Sequence, residues 1–124
     1  MNLVDSSGWL EYFANSKNAD YFANAIEDTD HLIVSTINLY EVFKKIIQQR
    51  DENSAFQAIA LMHQGKVVDV DSSLSLISAK YSIELKLPMA DSIILATGIL
   101  YNAIIWTQDS DFKNISGVKY FSKK

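Results

Sequence analysis

The sequence predicts an α/β protein: a parallel sheet of four or five strands with helices on both faces. Three observations carry this reading. Short apolar runs without polar alternation recur along the chain, as strands buried on both faces require. Helix-length segments separate them, in the order βααβααβααββ, which suits crossovers between parallel strands. With one proline and four glycines in 124 residues and no break in composition, no linker divides the chain, so residues 1–124 are expected to form one domain.

Taken in order, NLVD (2–5) is an apolar run that stops at an acid, the first strand. Two helical segments follow, with Trp9, Tyr12 and Phe13, then Tyr21, Phe22, Ala25 and Ile26 at helical spacing. HLIVS (31–35) is the second strand. Residues 36–50 place Leu39, Val42, Phe43, Ile46 and Ile47 on one helical face. Residues 52–64 make another helix, stopped by Gly65. KVVDV (66–70) is the third strand. Asp71 is an N-cap for a helix over 71–86, and Pro88 opens the next at its favoured first-turn position. AIIWT (103–107) is the fourth strand and VKYF (118–121) a fifth. Trp9, Trp106, Tyr40 and Phe112 are assigned to core or rim packing, and Met62 and Met89 to the core.

Composition narrows the function. The absence of cysteine removes disulfides and thiolate metal sites and fits a reducing, cytoplasmic location. His31 and His63 have no partners at zinc-ligand spacing. The N-terminal residues lack the basic and apolar regions of a signal peptide. Residues 87–106 are apolar, but Asp91, Pro88 and Asn102 interrupt them, and a helix over 88–101 would reach only ~21 Å of a ~30 Å hydrocarbon core; no membrane span is expected. A net charge of −4 has the wrong sign for gripping nucleic acid with the whole surface.

The acids are not evenly spread. Asp5 ends the first strand, Glu41 lies in the helix after the second, Asp91 in the first turn of the helix before the fourth, and Asp109 and Asp111 follow the fourth. In an open parallel sheet, ligands bind beyond the carboxyl ends of the strands, where strand order reverses. Asp5 and Asp109 fall at those ends, and Glu41 and Asp91 ride on helices that can reach the same edge. Each acid has a simpler explanation. Asp5 could terminate a strand or cap a helix. Glu41 could complete a capping box with Asn38 and pair with Lys45. Asp91 could serve the helix dipole, although its neighbours Ile94 and Leu95 put it on a buried face. Asp109 could be a turn former. Their joint placement favours a site. Converging carboxylates stay ionised together only beside a cation. Oxygen ligands without His or Cys select Mg²⁺ or Mn²⁺, ions that polarise phosphodiesters and activate water.

LVDSSGWLEYF, VSTINLYEVFKK, LPMADSIILATG and WTQDSDF together resemble PIN-domain ribonucleases, above all the toxin (VapC-type) component of VapBC toxin–antitoxin pairs. The resemblance spans essentially the whole chain with its motifs in family order. It implies a Rossmann-like α/β/α sandwich and an Mg²⁺- or Mn²⁺-dependent endoribonuclease with one or two ions. It implies a homodimer with a cognate antitoxin that inserts a basic side chain into the acidic pocket. Asp5, Glu41, Asp91 and Asp109 match the metal-binding and catalytic acids, Asp111 an acid of variable role, and Ser6 and Thr107 supporting hydroxyls. Lys44, Lys45, Arg50 and Lys113 are candidate RNA contacts. Removing the four principal acids brings the net charge from −4 to 0 (−4 + 4 = 0), so a metal-loaded protein need not repel RNA.

Two other readings stand beside this one. In the first, the acidic pocket of a non-catalytic module captures a basic partner peptide. In the second, the chain is a phosphate-monoester hydrolase or phosphoacceptor domain. Such domains pair acids after the first strand and place a lysine after a later one; here VDSS supplies one acid and Gln108 follows the fourth strand.

Overall fold

In the computed structural model, which describes residues 1–124, five strands form one sheet: β1 (Asn2–Val4), β2 (Leu32–Ser35), β3 (Lys66–Val68), β4 (Ile104–Thr107) and β5 (Val118–Tyr120). Spatial order is β3-β2-β1-β4-β5, with every neighbouring pair parallel. The chain builds outward from β1 to β2 and β3, then returns to add β4 and β5 on the other side. Strand order thus reverses between β1 and β4, whose Leu3 and Ile105 are in register.

Adjacent residues of a strand point to opposite faces, and here both directions are apolar. Val4, Leu32, Val34 and Trp106 pack beneath α1 (Ser6–Phe13), α2 (Ala19–Ile26), α3 (Thr36–Gln49) and α4 (Glu52–Met62), against Trp9, Phe22, Val42, Ile46, Ala58 and Met62. Leu3, Ile33, Val68 and Ile105 face the other way, toward Leu87, Ile94, Leu95 and Phe112. That second layer holds α5 (Ser72–Leu85) and α6 (Met89–Leu100). The unbroken apolar runs of the sequence are therefore the signature of a doubly covered sheet. The expected α/β/α sandwich is borne out, element by element.

Local differences have local causes. Asp71 caps α5 through Leu74 N–H, 2.8 Å from its carboxylate. Pro88 sits at the N-cap of α6, one position before the first turn, because Lys86 ends α5 in the left-handed region (φ 55°) and Leu87 is needed to re-enter the core. Ile47 lies at the solvent edge of the α3 face, and Met89 is 70% exposed rather than in the core. Helix α6 enters the protein only from Asp91, and the eight residues from Asp91 to Gly98 are all buried. No helix is long and apolar enough to cross a membrane.

Where α1 meets α2, Gly8 admits the close approach: a Cβ there would lie 2.6 Å from Phe22 Cδ1 and 2.7 Å from Val4 Cγ1. Both neighbours are fully buried and have no room to yield. Gly8→Ala should destabilise the fold by about 1–3 kcal/mol through overpacking. Urea melts of the two proteins check this, and equal midpoints would show that the α1–α2 contact is looser than described.

Candidate metal centre

Three backbone devices bring the acids to the reversal point. The first strand ends at Asp5, which occupies the N-cap position of α1 without capping it. Its carboxylate instead accepts hydrogen bonds from Ser7 Oγ (2.8 Å) and Thr107 Oγ1 (2.9 Å) on one oxygen, Oδ2. Asp91 stands in the first turn of α6. Asp109 follows β4 and opens a single 3-10 turn, Ser110–Phe112, where its Oδ1 accepts from Asp111 N–H at 2.9 Å. Asp109 is therefore the turn residue its sequence context foretells as well as a site acid. Carboxylate oxygens of Asp91, Asp109 and Asp111 all lie within 4.8 Å of one another.

Glu41 reaches the site by a different route. The capping box of α3 is formed by Ser35 and Asn38: Ile37 N–H donates to Ser35 Oγ (3.2 Å), and Ser35 N–H donates to Asn38 Oδ1 (3.0 Å). Glu41 is thereby left out of the cap. Asn38 Nδ2 then donates to Ser6 Oγ at 3.0 Å, and Ser6 Oγ donates to Glu41 Oε1 at 2.7 Å. One asparagine thus caps the helix and aims the hydroxyl that orients Glu41. Lys45 does not pair with Glu41: the only ion pair in the chain joins His31 to Asp28.

The electrostatics are those of a frustrated cluster. Asp91 is 8% exposed, and its carboxyl is pushed up to about 8 by burial first, then by the charges of Asp109 and Asp5 and by a hydrogen bond to Asp111 that needs the proton. Burial also raises Asp5, opposed by the bonds from Ser7 and Thr107. Glu41 is raised by burial and by the charges of Asp5 and Asp109, against the bond from Ser6. None of these acids has a cationic side chain as partner. The donor set is all oxygen and includes neither histidine. It fits a hard divalent ion such as Mg²⁺ or Mn²⁺, which Asp91, Asp109 and Asp111 could hold, with Asp5 electrostatically coupled to Asp91 and Asp109.

Thr107 and Ser6 are where the sequence places them, both in contact with site acids. Sequence reasoning missed Ser7 and Asn38. Ser7 carries no motif of its own in the sequence, and Asn38 offers itself there as a capping partner. Their spacing to Asp5 and Glu41 was visible, but not which hydroxyl met which acid. Lys44, Lys45, Arg50 and Lys113 are all exposed. Lys44 lies on the α3 turn after Glu41, its Nζ 5.8 Å from the Tyr40 ring. Arg50 is at the far end of α3, beside an apolar groove with Leu10, Phe13 and Leu61.

The PIN domain family model matches residues 3–118. The chain belongs to the PIN domain family. No curated protein matches it. Among solved structures, a chain of a toxin–antitoxin complex from Klebsiella pneumoniae superposes with a TM-score of 0.80 at 20% identity, covering 99% of this chain and 100% of that one. VapC20 of Mycobacterium tuberculosis, a sarcin-ricin loop cleaving toxin, gives 0.78 at 15% identity over 94% and 95% of the two chains. VapBC2 of Rickettsia felis, bound to a DNA fragment from its promoter, gives 0.75 at 15% identity over 98% and 97%.

The raised carboxyls have a consequence for stability. Between the ordinary carboxylate pKa near ~4 and about 8, the folded metal-free protein holds more protons than the unfolded chain. Its stability must therefore fall as pH rises through that window. A divalent ion displaces those protons, so the stabilisation it gives grows with pH. Chelator-treated protein should melt lower at pH 8 than at pH 5, and Mn²⁺ should restore more at pH 8. Asp91→Asn should raise the metal-free melting point at pH 8 and flatten the pH dependence. A wild type that melts higher at pH 8 than at pH 5 without metal would contradict the frustrated cluster.

Proposed function

We propose that this chain is a metal-dependent endoribonuclease acting as the toxin of a toxin–antitoxin pair. The observation that carries the reading is the convergence of Asp91, Asp109 and Asp111 within 4.8 Å, beside Asp5 and without a cationic partner, at the strand-order reversal of a PIN domain. Its folds in common with VapC20 and with toxin–antitoxin complexes support the same reading.

Asp91, Asp109 and Asp111, with Asp5, hold one or two Mg²⁺ or Mn²⁺ ions. When bound, such an ion supplies Lewis-acid polarisation of a phosphodiester and an activated water. Asp5 is kept in one rotamer by Ser7 and Thr107, and Glu41 by Ser6, so both meet the substrate preorganised. Glu41, half-buried with its carboxyl raised by burial, is the proton acceptor in this reading. Lys44, Lys45 and Lys113 supply local positive charge for the RNA backbone on a chain of net charge −4. In the cell this PIN unit, residues 1–124, works as a cytoplasmic homodimer. Its acidic pocket also receives a basic side chain of the antitoxin.

Loss of an outer-shell partner typically costs a metal site ~10–100-fold, so loss of a ligand should cost more. Asp5→Asn and Asp91→Asn should each reduce Mn²⁺-dependent cleavage of RNA by more than about a hundredfold while far-UV circular dichroism is retained. Excess chelator should abolish wild-type cleavage. Wild-type rates from both variants would remove this mechanism. No cleavage of RNA together with no saturable stabilisation by Mn²⁺ at low concentration would favour the non-catalytic module.

A further inference from the structure

A buried polar ring lies behind the metal centre and takes no part in the chemistry above. Asn18 is fully buried, and Gln108 is 7% exposed. Asn18 Nδ2 donates to Gln108 Oε1 at 2.9 Å, Gln108 Nε2 donates to Glu11 Oε1 at 3.1 Å, and Glu11 Oε2 accepts from Asn18 N–H at 2.9 Å. The second hydrogen of Asn18 Nδ2 goes to the Ser122 carbonyl, also 2.9 Å away. Both amide hydrogens are thus spent on fixed acceptors, and the fold leaves Asn18 Oδ1 buried without a partner to keep them there.

Gln108 sits between two site residues. Side chains alternate along extended backbone: Thr107 turns toward Asp5, Gln108 turns away into the ring, and Asp109 turns back into the acid cluster. At the other end of the same short loop, Phe112 is buried in the opposite apolar layer. Asp109 and Asp111 are suspended between these two anchors. The C-terminal residues close the ring from outside. Phe121 N–H donates to the Thr107 carbonyl at 2.9 Å, and the Phe121 ring stacks on Tyr21 at 4.7 Å. This clamp lies beyond residue 118, where the family match ends.

We propose that Asn18, Gln108 and Glu11 are positioning residues that hold the Asp109–Asp111 loop in register with Asp5 and Asp91, and that the property they set is metal affinity. The proposal rests on the metal-dependent reading above. A ring serving only as a joint between β4 and α2 would affect folding stability and leave metal affinity in the folded protein unchanged.

The test is Mn²⁺ binding to the full chain, followed by the electron paramagnetic resonance of free Mn²⁺ well below the melting temperature, with chelator melts as the measure of fold. Asn18→Ala and Gln108→Ala should each raise the Mn²⁺ Kd about 10–100-fold. The double variant should be little worse than either single one, since both break one device. Glu11→Ala removes only the half-buried corner of the ring and keeps the test open if the other two fail to fold; it should raise the Kd in the same direction. Wild-type Kd values in folded variants, with wild type binding Mn²⁺ normally, would overturn the positioning role alone. Absence of Mn²⁺ binding by wild type would overturn the metal-dependent reading and this inference together.

Discussion

Everything in this protein is arranged around a repulsion. The carboxylates of Asp91, Asp109 and Asp111 approach within 4.8 Å, with Asp5 close enough to shift Asp91 by its charge, and no lysine, arginine or histidine neutralises them. Burying charge without a partner costs several kcal/mol. A fold tolerates that only if the backbone carrying the acids is fixed by other means. Here it is fixed by the sheet: β1 and β4 are adjacent, parallel and buried on both faces, so the residues after them have nowhere else to go.

The placement of Asp91 follows from this. An acid in a helix whose next seven residues are all buried contributes nothing to packing, and the helix dipole would be served as well by an exposed side chain. A buried first-turn position gives it a rigid mount and a dry surrounding. Both strengthen its interaction with a cation and its repulsion of neighbouring acids. The hydroxyls act in the same economy: Ser7, Thr107 and Ser6 each donate to a carboxylate, lowering the penalty of ionisation without supplying charge.

Stability and function pull in opposite directions at this edge. The apolar layers on either side of the sheet are closely packed, down to the missing Cβ of Gly8. The acid edge is destabilised in the metal-free state, and the polar ring of Asn18, Gln108 and Glu11 keeps even an unpaired buried oxygen. Such exceptions to local rules fall at functional edges, where the surrounding structure can over-determine them.

Much of this was legible in the sequence. Doubly covered parallel strands announce themselves as unbroken apolar runs, because both alternating directions must be dry; that periodicity alone gave the element order and the layers. Asp5 and Asp109 were legible because they end strands, and Asp91 because a carboxylate among Ile94 and Leu95 contradicts its surroundings. Met89 was misassigned to the core because an apolar residue at a helix start is buried or exposed according to where the helix enters the protein. Asn38 offers the sequence a capping partner for Glu41, whereas in the fold it caps with Ser35 and reaches Ser6. Those contacts join residues 32, 35 and 102 positions apart, and short-range pattern carries no information about them. The sequence by itself determined which residues must be buried and which acids lie at strand ends, since both follow from local periodicity. The tertiary structure alone decided which hydroxyl holds which acid and which amide anchors the loop, because directional hydrogen bonds depend on distances that only the packed chain defines.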